Sequence, residues 1–167
     1  MYSSLAARSD CALLRSRRPV HVCAAPRRKP SPARASLVSL ATEFYTAWGR
    51  ADFPVLDRLV ATDHVQVDAV WAVGQDGGRE NLKAGIGRFT SIFQNSRMTV
   101  LTAAADEDKR QVLVHWKFEG DWEGQTTEST GLSILDFDQD NRVCKSQVYR
   151  QLTEPEKRMR QQQQNKD

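Results

Sequence analysis

From Gln111 to Leu152 the chain carries three runs of strand-forming residues separated only by short polar stretches. Strands joined by so few residues can pair only antiparallel, so this order dictates a curved antiparallel meander. The first run, Val112-Leu113-Val114-His115-Trp116-Lys117-Phe118, is β-branched and aromatic and is expected to end at Glu119-Gly120-Asp121, where strand propensity collapses. The second spans about Thr126 to Phe137 and stops at Asp138-Gln139-Asp140-Asn141, whose side chains bond their own backbone and tolerate left-handed geometry. The third runs from Val143 to Leu152. A sheet of this kind needs a covering layer on one face, which points to helices upstream.

Those helices are legible. Ser36 can cap a helix in which Leu37, Leu40, Ala41, Phe44 and Trp48 recur at three- and four-residue intervals, with Gly49 as its expected end. Asp52 caps a shorter one opened by Pro54, with Leu56, Leu59 and Val60 on its apolar side. A short strand, His64 to Trp71, precedes the irregular loop Gly74-Gln75-Asp76-Gly77-Gly78. A third helix, about Arg79 to Phe93, turns Leu82, Ile86, Phe89 and Phe93 to one face. Gly85 and Gly87 weaken it by roughly 1 kcal/mol each, and close packing on the sheet is the expected reason for them. A strand from about Arg97 to Ala105 leads into the meander. The segment Glu154 to Asp167 shows no apolar face and is expected to be a frayed or disordered polar tail.

Charge is segregated along the chain. Residues 1–36 hold eight basic residues and one acid, so the remainder, with sixteen basic against twenty acidic residues, carries about −4. An acidic folded part weakens a nucleic-acid reading, which needs a clustered basic footprint. Residues 1–35, rich in Arg, Ser, Ala and Pro, have the composition of an organelle transit peptide, with Val22-Cys23-Ala24-Ala25 resembling a plastid processing site. The expected destination is the chloroplast, with the mitochondrion as the alternative; a basic tail for an acidic partner is the other reading. The longest apolar run there, Cys11-Ala12-Leu13-Leu14, is too short for a membrane span. Beyond residue 36 only Cys144 remains, which excludes an internal disulfide in that part and reads as a small buried hydrophobe.

The order helix, helix, strand, helix, then four antiparallel strands resembles the nuclear transport factor two-like superfamily, which includes the SnoaL-like polyketide cyclases and the ketosteroid isomerases. The residues that carry the resemblance are Phe44 to Trp48 with Ala51-Asp52-Phe53, Ala61 to Asp68, Gly78-Arg79-Glu80-Asn81-Leu82 and Asp140-Asn141-Arg142-Val143. The resemblance covers about 36–153. It implies an α+β domain in which three N-terminal helices cover a cone-shaped, bent antiparallel sheet, a cystatin-like arrangement around a largely apolar cavity. It also implies a homodimer through the outer sheet face, where Leu132, Ile134 and Val148 could supply apolar area. The ketosteroid isomerase general base falls on Asp68, its oxyanion tyrosine on Phe44, and its protonated aspartic acid on Ser133. Without that phenol and acid the mechanism lacks its largest electrostatic contribution. Tyr45 is adjacent, but one residue along a helix rotates a side chain by about 100°, so it is not a simple substitute.

Strand alternation puts Gln66, Asp68 and Val70 on the face opposite Val65 and Val67. Where that face meets the cavity, desolvation would make Asp68 a usable general base. Phe44, Trp48, Trp116, Ser133, Tyr149 and Gln151 are the expected pocket residues, the last three orienting a ligand. The tryptophans read first as core or dimer-face residues. His64 reads as a strand-entry residue near solvent, and His115 as a sheet residue facing away from Trp116 and Val114. No Cys/His cluster has metal-ligand spacing and no glycine-rich phosphate loop follows a strand, so neither metal nor cofactor is expected. Two functions fit: a pocket protein that binds or converts a small apolar organic molecule, as an isomerase or cyclase does, or a non-catalytic dimeric binding or assembly module of the same fold. The first requires an open cone, the second a filled one with an exposed apolar patch on the sheet.

Overall fold

The computed structural model describes residues 36–68 and 77–164, apart from the side chains at 159 and 162–164. The expected leader, the strand end at Val70 and Trp71, and the loop from Gly74 to Asp76 lie outside the described residues.

Helix α1 (Leu37–Arg50) begins where Ser36 Oγ accepts the Ser39 N–H at 3.2 Å. It ends one residue beyond Arg50, where Ala51 enters the left-handed region (φ 52°) and its N–H reaches Trp48 O at 3.2 Å. Gly49 is therefore not the stop. A Cβ there would lie 2.3 Å from the backbone nitrogen of Met98, so its bare backbone is what lets α1 lie directly on the sheet. Helix α2 (Phe53–Leu59) is capped by Asp52, which accepts the Val55 N–H at 3.3 Å, with Pro54 in its first turn.

The strands are β1 (Val60–Asp68), β2 (Gln94–Asp106), β3 (Gln111–Trp122), β4 (Gln125–Phe137) and β5 (Val143–Arg150), with α3 (Gly78–Ile92) between β1 and β2. They form one sheet in the order β1-β5-β4-β3-β2. Three neighbouring pairs are antiparallel, as hairpin links require, but β1 runs parallel to β5. No hairpin ties β1 to a neighbour in sequence, so its direction is free to be set by where the helices deliver it. Strand β3 also continues through Gly120 to Trp122, because its ladder with β4 persists to the Trp122–Gln125 pair. Glu123 and Gly124, both with positive φ (50° and 76°), close that hairpin in two residues. Register breaks in β2 between Val100 and Thr102, and in β1 between Val60 and Val65, add local bends.

The sheet is one-sided. Val112, Val114, Trp116 and Phe118 of β3, with Leu135 and Phe137 of β4 and Val143 of β5, are buried against Phe44, Ala41, Leu56 and Ile86 of the helices. Phe118 meets Phe89 and Phe93 edge-on, with ring centroids 4.9 and 5.1 Å apart. Each such pair adds about 0.5–1.5 kcal/mol beyond its buried area. The α+β class with helices over a bent sheet is thus the observed architecture. The glycines of α3 do not serve close packing: Gly85 has nothing within 4 Å of an added Cβ, and Gly87 only the tip of Phe53 at 3.7 Å.

The chain does not fray after β5. Helix α4 (Glu154–Gln164) follows directly, with Pro155 and Glu156 fully buried and Arg158 lying over the Trp122 ring at 5.0 Å. Among the described residues no helix is long and apolar enough to cross a membrane.

Candidate functional site

Between α1, α3 and the inner face of the sheet lies a cavity of about 360 Å³. Its apolar wall comes from the 3.6-residue stripe of each helix and the inward positions of β2 and β3. Phe44 and Trp48 of α1, Leu82, Ile86 and Phe89 of α3, and Met98, Trp116 and Phe118 of the sheet all line it, as does the bare backbone of Gly85.

The opposite wall is polar, and one strand pair supplies most of it. Strand β1 contributes His64, Gln66 and Asp68 and strand β5 contributes Ser146, Val148 and Arg150, each set at the two-residue spacing of one sheet face. The parallel register, Gln66 beside Ser146 and Asp68 beside Val148, brings the two sets together. Arg150 Nε lies 3.3 Å from Asp68 Oδ2, while its two terminal nitrogens donate to the Glu156 carboxylate at 2.9 and 2.8 Å. All three side chains are almost wholly buried, at 11% exposure for Arg150, 9% for Asp68 and 2% for Glu156. Burial by itself lowers the Arg150 pKa, but the bonds and charges of Glu156 and Asp68 more than reverse this, so it stands above the usual arginine value.

Glu156 is placed by a capping box at the start of α4. Its carboxylate accepts both the N–H and the hydroxyl of Thr153 at 2.8 Å, and Thr153 Oγ in turn takes the Glu156 N–H at 3.4 Å. The Thr153-Glu154-Pro155-Glu156 sequence is the signal that a sequence reading could have used. Instead the segment was expected to be a polar tail, because its one buried charged residue leaves no apolar stripe.

His64 is 2% exposed, not near solvent as expected. Its Nε2 lies 3.1 Å from Ser146 Oγ, and its Nδ1 has no hydrogen-bond partner among the described residues. Burial pushes its pKa down to about 4, with Asp63 pulling weakly the other way, so the ring is neutral at physiological pH. Deeper in, Trp116 Nε1 donates to Ser133 Oγ at 2.8 Å and the Trp116 ring stacks on Tyr45 at 6.1 Å. Burial raises the Tyr45 phenol well above its ordinary pKa, against the opposing pull of hydrogen bonds with Ser133 and Trp116, so it stays protonated.

Of the residues expected at the site, Asp68, Phe44, Trp48 and Trp116 line the cavity. Ser133 is fully buried behind Trp116 and Tyr45 and holds those two in place. Tyr149 and Gln151 are elsewhere: both line a groove on the outer face with Leu113, His115 and Leu132, and Tyr149 is 50% exposed. The reason is parity. Tyr149 pairs with the exposed Leu132, while its neighbours Val148 and Arg150 point inward. The same parity removes Val148 from the outer face, which keeps Leu132 and Ile134. Tyr45 reaches the cavity beside Phe44, because the cone encloses more of α1 than a single stripe.

A family model described as SnoaL-like domain matches residues 41–146. AusH from Aspergillus nidulans is similar in structure, with a TM-score of 0.62 and 20% identity over 72% of this chain and 87% of that one. A SnoaL-like polyketide cyclase from Agrobacterium tumefaciens gives 0.59 at 9% identity, over 76% of this chain and 98% of that one. A hypothetical protein from Catenulispora acidiphila with a ketosteroid isomerase-like fold, in complex with trimethylamine, gives 0.57 at 21% identity over 66% and 83%. Identities of this size speak to the fold alone. No curated protein matches the chain in sequence.

The neutral histidine makes stability depend on pH. With a folded pKa of about 4 against 6.5 for the ordinary side chain, the unfolded chain binds more protons between those values, so stability is lost as pH falls from 6.5 towards 4. The loss amounts to about 3 kcal/mol over that window. Aspartates with lowered pKa, such as Asp57 and Asp138, give up their contribution only below 3.8, outside it, and Glu119 and Glu154 begin to do so only from 4.5, at its lower end. Urea unfolding at pH 7 and pH 4.5 is expected to show this loss in the wild type and to show most of it gone in His64→Phe.

Proposed function

The chain belongs to the SnoaL-like domain family, and from that premise we propose that it binds a small, largely apolar organic molecule in its cone and converts it by proton transfer, as an isomerase or cyclase does. The observation that carries this is the open cavity of about 360 Å³, largely apolar on the helix side, where Asn81 and Arg88 of α3 also border it, and polar along β1 and β5. A purely structural module has no need of an unfilled cone or of the five polar side chains, His64, Gln66, Asp68, Ser146 and Arg150, that β1 and β5 bring to it. Asp68 is the proposed general base: it lines the cavity, and the Arg150 guanidinium beside it fixes its orientation. Tyr45, the protonated phenol of the wall, is the proposed donor to an oxygen that gains charge.

A second reading draws on the outer face. Leu113, Leu132 and Tyr149 are each about half exposed there, at 48, 46 and 50%. Apolar exposure on this scale fits a homodimer through the sheet, whether the domain is an enzyme or a non-catalytic assembly module. The leader composition supports import into the chloroplast, with removal of roughly the first 24–36 residues.

Three measurements test these proposals. For a substrate found by screening small cyclic ketones, Asp68→Asn is expected to cut turnover by about 10²–10⁴-fold with folding retained. Turnover unchanged by that exchange would remove Asp68 from the mechanism. Sedimentation velocity at micromolar concentration is expected to give a dimer that Leu132→Glu dissociates; a monomeric wild type refutes the outer-face reading. A fluorescent fusion of residues 1–36 is expected in chloroplasts, and a cytosolic signal would leave the basic-tail reading in its place.

A further inference from the structure

We propose that the outer edge of α3, at Gly85 and Arg88, is the mouth of the cavity, and that Arg88 there holds the carboxylate of an organic acid whose apolar body lies in the cone. The proposal rests on the pocket reading above and adds to it a ligand class and a point of entry.

Successive helix residues turn by about 100°, so the cavity-lining residues of α3 fall on neighbouring rows. Leu82 and Ile86, on the innermost row, are buried; Phe89 and Gly85, further round, are half-buried; Arg88, outermost, is exposed and still lines the cavity. Exposure therefore rises across one face of one helix, and the rim is its Arg88 side. Asn81, one turn before Gly85, borders the cavity along the same edge. A glycine inside a helix is less stable there than alanine, and neither a positive φ nor close packing requires this one, since an added Cβ would meet nothing within 4 Å. A gap in the wall one turn before the arginine accounts for it.

Charge sets which way round a ligand sits. The inner cluster, Arg150 bonded to Asp68 and Glu156, holds two carboxylates about one guanidinium and repels an anion from the deep wall. On α3 the cations Arg79 and Lys83 are paired with Asp57 and Glu80. Arg88 differs: among the described residues no carboxylate lies within ion-pair distance of it, and it stands at the rim. An acid is thus drawn to the mouth, with its apolar body against Trp48, Phe89 and Phe118. At the mouth the carboxylate keeps part of its hydration, which avoids the cost of burying a charge. The planar fork of a guanidinium also matches the edge of a carboxylate with two parallel N–H···O bonds.

The test titrates the full chain with 2-naphthylacetate and its uncharged isostere 2-naphthylacetamide by calorimetry, and follows association of both by stopped-flow fluorescence. In the wild type at low salt the acid is expected to bind about three- to fivefold more tightly than the amide, the worth of a well-formed exposed ion pair. Added salt should shrink that advantage. Arg88→Gln is expected to abolish it and to leave the affinity for the amide unchanged. Gly85→Leu, a better helix former that fills the gap, should slow association of both probes severalfold, with a melting temperature no lower than that of the wild type. Equal affinity for acid and amide in the wild type, or an advantage that survives Arg88→Gln, overturns the role of Arg88, while binding of the amide keeps the pocket reading intact. Unchanged association in Gly85→Leu overturns the mouth. Failure of both probes to bind overturns the pocket reading and this proposal together.

Discussion

The parallel ladder between β1 and β5 is the constraint on which the polar side of this cavity depends. Two contacts define it chemically, His64 to Ser146 and Asp68 to Arg150, and each joins residues 82 apart in sequence. Neither can form from local structure. They exist because α1 and α2 deliver β1 to the free edge of β5, in register and pointing the same way. The apolar side is built differently, from the inward positions of the β2–β3–β4 hairpins and two amphipathic helices whose patterns are each complete within a short segment. One cavity therefore has a locally specified wall and a wall specified only by tertiary pairing.

That division explains what was legible in the sequence. The caps at Ser36 and Asp52, Pro54 in the first turn of α2, and the alternation of β3 and β4 are local signals with local causes, and the structure uses each of them. The inward parity of Gln66 and Asp68 could be read because Val65 and Val67 mark the other face. The parity of β5 could not. Its inward residues Ser146 and Arg150 are as polar as its outward Lys145 and Gln147, so nothing in the composition tells the faces apart. Only pairing with β4, which sets Val148 beside the buried Ser133, decides it, and Tyr149 and Gln151 consequently face outward. His64 was misread for a similar reason, since a histidine at a strand entry carries no sign of how deeply the sheet will draw it in. Gly85 was misread as a packing residue when its backbone borders open space.

The arrangement also runs against the usual economy of cores. A guanidinium and two carboxylates taken out of water cost several kcal/mol per ion before their mutual attraction is counted, and hydrophobic replacements of such clusters are often more stable. Here the cluster is fully bonded: Arg150 reaches both acids, and Glu156 is held again by the Thr153 N–H and hydroxyl. What it provides in return is orientation, since a carboxylate fixed by a cation on one side presents a defined edge to the cavity.

The capping box of α4 also changes where this domain ends. The family match stops at residue 146 and the sheet at Arg150, whereas the partner that neutralises Arg150 from the helix side is Glu156. A boundary drawn at the last strand would cut between a buried cation and its main counter-ion, a separation that costs about 3–5 kcal/mol when one partner of such a pair is lost. The unit that is inherited as a pattern and the unit that is stable as an object are therefore not the same length. The shared cone supplies the space, and the residues that complete its charged wall belong to the segment after it, so that a change in that segment reaches the cavity through Arg150.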